Sequence, residues 1–162
     1  MDTPALTPLA AAVLHVPVPE RALLIGCGDG EPALFLTREF PAARVRGTDP
    51  SAELVRQAQA RVGLDPEGRV AFKQAKPASL PYPDDFFDLV VQADGRVAPA
   101  EAARVLRAGG YFILASSPTP RLAAGVRERL LGRRLAGQGF VVERSQGAGD
   151  GNFFVARLDG AL

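Results

Sequence analysis

Residues 23–32, LLIGCGDGEP, constrain the fold more than any other stretch of the chain. An apolar run closes on three glycines, Gly26, Gly28 and Gly30, and Glu31 and Pro32 follow at once. The run from Arg21 to Gly26 reads as a buried strand. An acid and a proline directly after the loop suit the first turn of a helix. Between the two, residues without a β-carbon can take unusual backbone angles and let a ligand touch the main chain. The helix behind them offers unpaired N–H groups and the positive end of its dipole.

The rest of the chain repeats the alternation. Strands are expected at 43–49, 69–75, 86–92 and 111–117, and helices at 31–40, from the Ser51 cap to Gly63, and at 99–110 with a glycine stop. A helix over 120–136 places Leu122, Val126, Leu130 and Leu131 on one face. A short helix after Thr7-Pro8 ends before Pro17 and Pro19. Two last strands, GFVVERS and NFFVARL, are joined by the turn-rich QGAGDG, so they pair antiparallel. Strand–helix alternation predicts an open α/β sheet, mostly parallel, with ligands at the carboxyl ends of the strands near the switch point.

At 162 residues, with 47% apolar residues, the chain reads as one domain with a sizeable core. Residues 1–19 form an N-terminal helix and linker, and 20–162 the core. A net charge of +1 gives no argument for nucleic acid or an anionic membrane. Arginine far outnumbers lysine and alanine is abundant, which reflects base composition before function. One cysteine excludes an internal disulfide and fits a reducing cytoplasm. The first ten residues lack the basic and apolar pattern of a signal peptide, and no membrane association is expected. No metal is expected either.

Asp49 closes the second strand about twenty residues after the glycine loop, the usual place for a carboxylate that holds two ribose hydroxyls. Together with the loop it implies an adenosine-type ligand. Glu31 stands where a dinucleotide-binding loop has its last glycine, and an acid there repels a pyrophosphate. A ligand without phosphates fits better.

From Arg21 to Leu158 the chain resembles the class I S-adenosylmethionine-dependent methyltransferases, most strongly the methyltransferase-11 type found in quinone biosynthesis. Four segments carry the resemblance in the family's order: LLIGCGDG, GTDPS, LPYPDDFFDLVV and EAARVLRAGGYFILA. The resemblance implies a Rossmann-like, doubly wound sheet of seven strands with an antiparallel last strand, and S-adenosylmethionine lying over Gly26–Gly30. It implies that the backbone of Gly26, Cys27 and Gly28 contacts the methionine part and that Asp49 binds the ribose. Pro50 and Ser51 would flank the adenine, with Ala75, Lys76 and Pro77 as the other wall. Gln92 and Ala93 would face the sulfonium end. The implied activity is methyl transfer to an unidentified acceptor. A non-catalytic regulatory or interaction module of degenerate methyltransferase fold, binding the donor weakly or not at all, and an RNA methyltransferase are the alternatives.

Three departures from the family pattern stand out. Leu24 occupies the place of an acid near the methionine ammonium, which leaves Asp29 as the nearest candidate acceptor. Lys76 occupies the place of an acid that accepts from the adenine amino group, and a lysine has only donors. The connection between the fourth and fifth strands is short. The acceptor is therefore expected to be large, bound on an open surface, or enclosed with the help of a partner protein or a second copy.

The remaining polar residues have plain readings beside functional ones. Cys27 reads as a small loop residue, with no basic neighbour in sequence to activate it. His15, the single histidine, is a helix-end residue unless the N-terminal helix folds over the cleft. Asp84 and Asp85 read as turn residues before a strand. Asp94 is the polar candidate for touching an acceptor, against a plain turn. The arginines of the last long helix read as a solvated face, with no interleaved aromatics to stack bases.

Overall fold

A computed structural model describes residues 6–63, 65, 67–93, 95–116, 121–149 and 151–160. Seven strands form one sheet: β1 (Arg21–Ile25), β2 (Arg44–Asp49), β3 (Val70–Gln74), β4 (Phe87–Ala93), β5 (Leu106–Ser116), β6 (Phe140–Ala148) and β7 (Gly151–Leu158). Their order across the sheet is β3-β2-β1-β4-β5-β7-β6. The pairs from β3 to β5 are parallel, and β7 is antiparallel to both β5 and β6. The strand order reverses between β1 and β4. That puts the switch point at Ile25, the end of β1, and fixes where a ligand crevice opens.

Side chains on successive strand residues leave opposite faces of the sheet, and the two faces build two cores. On one face Leu24, Val45, Phe72, Val91, Ile113 and Phe153 are buried. The helices α1 (Leu6–Ala12), α2 (Glu31–Glu39) and α3 (Ala52–Val62) contribute Leu9, Leu36 and Val55 to that core. On the other face Leu23, Ile25, Val90, Phe112 and Leu114 form a core with Val105 of α4 (Pro99–Val105) and Leu131 and Leu135 of α5 (Arg121–Gly137). Burial on both faces is why the strands read as apolar runs rather than as alternating ones.

Several boundaries differ from the expected ones. The helix expected over 99–110 ends at Val105, and residues 106–110 belong to β5. The backbone of the preceding segment captures them: Asp85 N–H donates to the Arg104 carbonyl and Phe86 N–H to the Val105 carbonyl, both at 2.9 Å. Leu106 then pairs with Phe87, while Tyr111 pairs with Leu89, so residues 107–110 bulge out of the ladder. The Gly109-Gly110 pair is thus a strand bulge and not a helix stop. A β-carbon on Gly110 would stand 2.9 Å from the Arg107 carbonyl oxygen.

The N-terminal helix starts at Leu6, not after Thr7, and ends in a single 3-10 turn, Val13–His15. Pro8 falls on its third residue, where the missing N–H costs nothing because the first N–H groups of a helix have no partner. The last two strands run further into their connection than the turn residues suggest, since Ala148 pairs with Gly151. On α5 the expected apolar face is only half used. Leu131 and Leu135 are buried, but Val126 and Leu130 are exposed, and the Leu122 side chain lies outside the described residues. The face rotates toward Leu135 because the sheet contact sits at the C-terminal half of the helix, beside β6.

Candidate functional site

Four strand ends, Ile25, Asp49, Gln74 and Ala93, line up along the carboxyl edge of the sheet. The glycine loop leaves β1 between them. Its first two N–H groups, those of Gly26 and Cys27, both donate to the Thr48 carbonyl at 2.8 Å, which ties the loop to the end of β2.

The three glycines do three different jobs, although all have positive φ. A β-carbon on Gly26 would meet the Ala93 carbonyl oxygen at 3.3 Å, so Gly26 lets the ends of β1 and β4 approach. A β-carbon on Gly30 would stand 2.9 Å from the Ala58 α-carbon, so Gly30 lets α2 start against α3. A β-carbon on Gly28 would meet nothing within 4 Å. Gly28 alone opens onto free space at the strand ends.

Asp49 sits below that opening and is buried. One carboxylate oxygen accepts from Gly28 N–H at 3.2 Å and the other from Ser51 N–H at 2.9 Å. A carboxylate has about four acceptor positions. Two remain for donors from outside the chain, the number that two ribose hydroxyls need. Ser51 caps α3 through its hydroxyl, which accepts from Leu54 N–H at 3.2 Å. The Pro50 carbonyl accepts from the Gln74 amide at 3.0 Å, and Ala75 N–H donates to the Asp49 carbonyl at 3.1 Å. These bonds hold the segment after β3 beside the segment after β2. The two expected adenine walls, Pro50–Ser51 and Ala75–Pro77, therefore stand next to one another. Lys76 is exposed, its backbone closes a small turn with Ser79, and its ammonium has no partner among the described residues.

Other candidates land elsewhere. Asp29 has both carboxylate oxygens engaged: one accepts from Glu31 N–H at 3.1 Å and the other from the Arg61 guanidinium at 3.1 Å. Arg61 also pairs with Glu31 at 3.1 Å and donates to the Asp29 carbonyl at 3.1 Å. The charge of Glu31 is thus compensated by an arginine one turn along from Ala58, on the helix face that meets the loop. Sequence reading missed Arg61; its signal was the three-residue spacing from Ala58, a small residue opposite a glycine. Leu24 has no exposed surface and lies in the core with Leu9, Leu36 and Val91.

Gln92 is buried on the same sheet face as Ile25 and Leu114, its register partners. Its side-chain amide donates to the Arg96 carbonyl at 2.9 Å, which braces the loop after β4. Asp94 lies outside the described residues. Cys27 has no exposed surface, and burial, with Asp49 as a further cause, pushes its thiol up to about 12. Such a thiol is core filling and not a nucleophile. His15 stacks on Phe153 at 5.8 Å between ring centres. Asp84 pairs with Arg104 at 2.7 Å, and Asp85 occupies a left-handed turn position, φ 54°. Arg104 also binds Glu101 and the Leu80 carbonyl, and it holds the Glu101 carboxyl below the usual carboxylate range. The Asp84–Asp85 pair is structural. Among the described residues no helix is long and apolar enough to cross a membrane.

The family model for a methyltransferase domain (Methyltransf_11) matches residues 23–114, from the glycine loop to β5. The 27-O-demethylrifamycin SV methyltransferase of Amycolatopsis mediterranei is 35% identical over 144 residues, covering 81% of this chain and 53% of that one. A ubiquinone/menaquinone biosynthesis C-methyltransferase of Syntrophotalea carbinolica is 35% identical over 115 residues, covering 65% of this chain and 48% of its own. The chain thus spans about half the length of these relatives. Among solved structures, the complex of the Haloferax volcanii Trm112 methyltransferase activator with its methyltransferase gives a TM-score of 0.79 at 19% identity, over 94% of this chain and 89% of that one. A SAM-dependent methyltransferase from Aquifex aeolicus gives 0.76 at 19% identity, over 95% and 91%. Both likenesses are of fold. The open position above Gly28 and the two spare acceptor positions on Asp49 suit S-adenosylmethionine, the family's cofactor. With its matched residues running through the whole of that site, the chain belongs to the S-adenosylmethionine-dependent methyltransferase domain family.

Proposed function

We propose that this domain binds S-adenosylmethionine across the carboxyl ends of β1, β2 and β4 and transfers its methyl group to an acceptor taken up on the open face beside β4 and α5. The observation that carries the reading is Asp49: a buried carboxylate fixed by two backbone donors, with acceptor capacity left toward the space above Gly28. When bound, the cofactor supplies an activated methyl carbon, which an acceptor lone pair takes while the carbon–sulfur electron pair stays with sulfur.

The chain contributes binding and orientation. Asp49 holds the ribose, and the pre-formed bonds from Gly28 and Ser51 mean that it need not reorganise to do so. Pro50, Ser51, Ala75, Lys76 and Pro77 flank the adenine. The backbone of Gly26 to Gly28 lies along the methionine part. Gln92 holds the loop after β4, and with it Ala93, at the methyl end. Fixing donor and acceptor at one edge supplies most of the acceleration available to such a reaction. No titratable side chain among the described residues stands out at this edge as a base.

A partner subunit or second copy on the open face is the reading to separate from this one; the complex of the structural neighbour with an activator protein is its precedent. Light scattering at working concentration distinguishes it. The direct test is calorimetric titration with S-adenosylhomocysteine, paired with release of labelled methyl groups from S-adenosylmethionine. Saturable binding in the parent, lost in Asp49→Ala, supports the reading. Failure to bind either ligand overturns it.

A further inference from the structure

Two large aliphatic side chains on α5, Val126 and Leu130, are 60% and 55% exposed. They are four residues apart, so they stack along one face of the helix. They border a trough of about 510 Å³ between α5 and the loop after β4, lined also by Gly95, Arg96, Val97, Arg127, Leu131 and Arg134. The trough has the size of a small-molecule site. Val97 and Leu131 are buried side chains, so its inner wall is apolar as well.

Its rim is cationic. Arg96 and Arg127 have no hydrogen-bond or ion-pair partner among the described residues. Arg134 donates to the Val97 carbonyl at 3.1 Å, which keeps its guanidinium at the trough. No described carboxylate lines the trough. An apolar trough with three guanidinium groups and no acid among its described lining residues is complementary to one kind of occupant, a molecule with an apolar body and an anionic group. It does not suit a nucleic acid, because no aromatic side chain lines it to stack a base.

The trough is joined to the methyl-donor end. The wall residues 95–97 begin two positions after Ala93 in sequence, and the Ala93 carbonyl oxygen lies 3.3 Å from the β-carbon position of Gly26. Gln92 then anchors the wall through the Arg96 carbonyl at 2.9 Å. We infer that the trough between α5 and residues 95–97 binds the methyl acceptor, and that the acceptor is an amphiphilic anion with its apolar body against Val126, Leu130 and Leu131 and its charge among Arg96, Arg127 and Arg134. The word acceptor rests on the methyl-transfer reading above; the binding chemistry does not.

The probe is decanoate, titrated calorimetrically into the full chain with and without saturating S-adenosylhomocysteine, with 1-decanol as the uncharged control. Decanoate is expected to bind about tenfold or more tightly than decanol. Leu130→Glu and Arg127→Glu are both surface changes whose melting temperatures check folding. Each is expected to weaken decanoate by about tenfold or more and to leave S-adenosylhomocysteine binding unchanged. Equal binding of decanol, absence of decanoate binding, or decanoate binding indifferent to both variants overturns the inference. So does a dimer that Leu130→Glu converts to monomer with no effect on decanoate. Loss of this result with S-adenosylhomocysteine binding intact rejects the trough alone. Decanoate binding with no S-adenosylhomocysteine binding rejects the methyl-transfer reading alone.

Discussion

Gly30 meets Ala58 so closely that a β-carbon on it would stand 2.9 Å from the Ala58 α-carbon and 3.3 Å from its carbonyl oxygen. Backbone cannot retreat as a side-chain tip can, and φ at Gly30 is +97°. Gly30→Ala is therefore expected to cost about 2–4 kcal/mol through overpacking and a forbidden backbone angle, read as a lowered urea midpoint. Gly28→Val meets no atom with its β-carbon but sets a β-branched residue at φ +53°, so it too is expected to lower the urea midpoint, and to abolish S-adenosylhomocysteine binding. A Gly28→Val protein that binds like the parent removes this loop from the site.

Asp49→Ala removes two acceptors from the ribose, each charge-assisted bond being worth roughly 1.5–3 kcal/mol. Affinity for S-adenosylhomocysteine should fall by about a hundredfold or more. The same change strands the N–H groups of Gly28 and Ser51, so stability should fall too, by about 1–3 kcal/mol. Asp49→Asn keeps one acceptor oxygen and should recover part of both. Calorimetry and urea unfolding on the same samples separate the two effects, and a change in affinity below about threefold excludes Asp49 from the ribose site.

The family resemblance implies acids at the places of Lys76 and Leu24, and the structure treats these two residues differently. Lys76 is exposed and its ammonium unpaired, so Lys76→Asp should leave stability unchanged and tighten S-adenosylhomocysteine binding by supplying an acceptor. Weaker binding would make Lys76 itself a ligand contact. Leu24 is fully buried among aliphatic side chains. Leu24→Asp should destabilise by about 3–5 kcal/mol, because the carboxylate has no cation within that core. Melting temperatures with and without ligand show whether bound ligand recovers any of it.

Alkaline pH offers a check on the interior. Burial raises the Cys27 thiol from 9.0 to about 12 and the Tyr82 phenol from 10.0 to about 12. Below pH 9 the thiol is protonated in folded and unfolded chains alike and contributes no pH dependence. Above it the unfolded chain releases a proton that the fold retains, so stability falls as pH rises from about 9 towards 12. The urea midpoint should drop between about pH 9 and about pH 10.5, and Cys27→Ala should flatten that slope. Native Cys27 should also resist iodoacetamide at about pH 8, where a free thiol reacts.

The sheet, its antiparallel member and the position of the site were legible because strand–helix alternation and the glycine loop are local signals. Asp49 was legible because it ends a strand at a fixed spacing from that loop. What escaped were features decided across the fold. The helix of 99–105 stops early because Asp85 and Phe86 capture its last carbonyls from 19 residues away. The engagement of Asp29 depends on Arg61, 32 residues further on. Val126 and Leu130 carry a helical apolar pattern, yet nothing in the pattern says that the sheet contact lies further along α5. The division of labour among Gly26, Gly28 and Gly30 was invisible for the same reason: each glycine answers to a different neighbour.

The placing of β7 has a kinetic consequence. β6 precedes β7 in the chain but touches β5 only through it. While the protein is being synthesised, β5 keeps an open edge and β6 has nothing to pair with until Gly151–Leu158 has emerged and slid between them. Two ladders, to Tyr111–Ser116 and to Phe140–Ala148, then close around one strand. Until that moment the growing chain exposes the unsatisfied edge of β5, the kind of surface on which nascent chains aggregate or recruit chaperones.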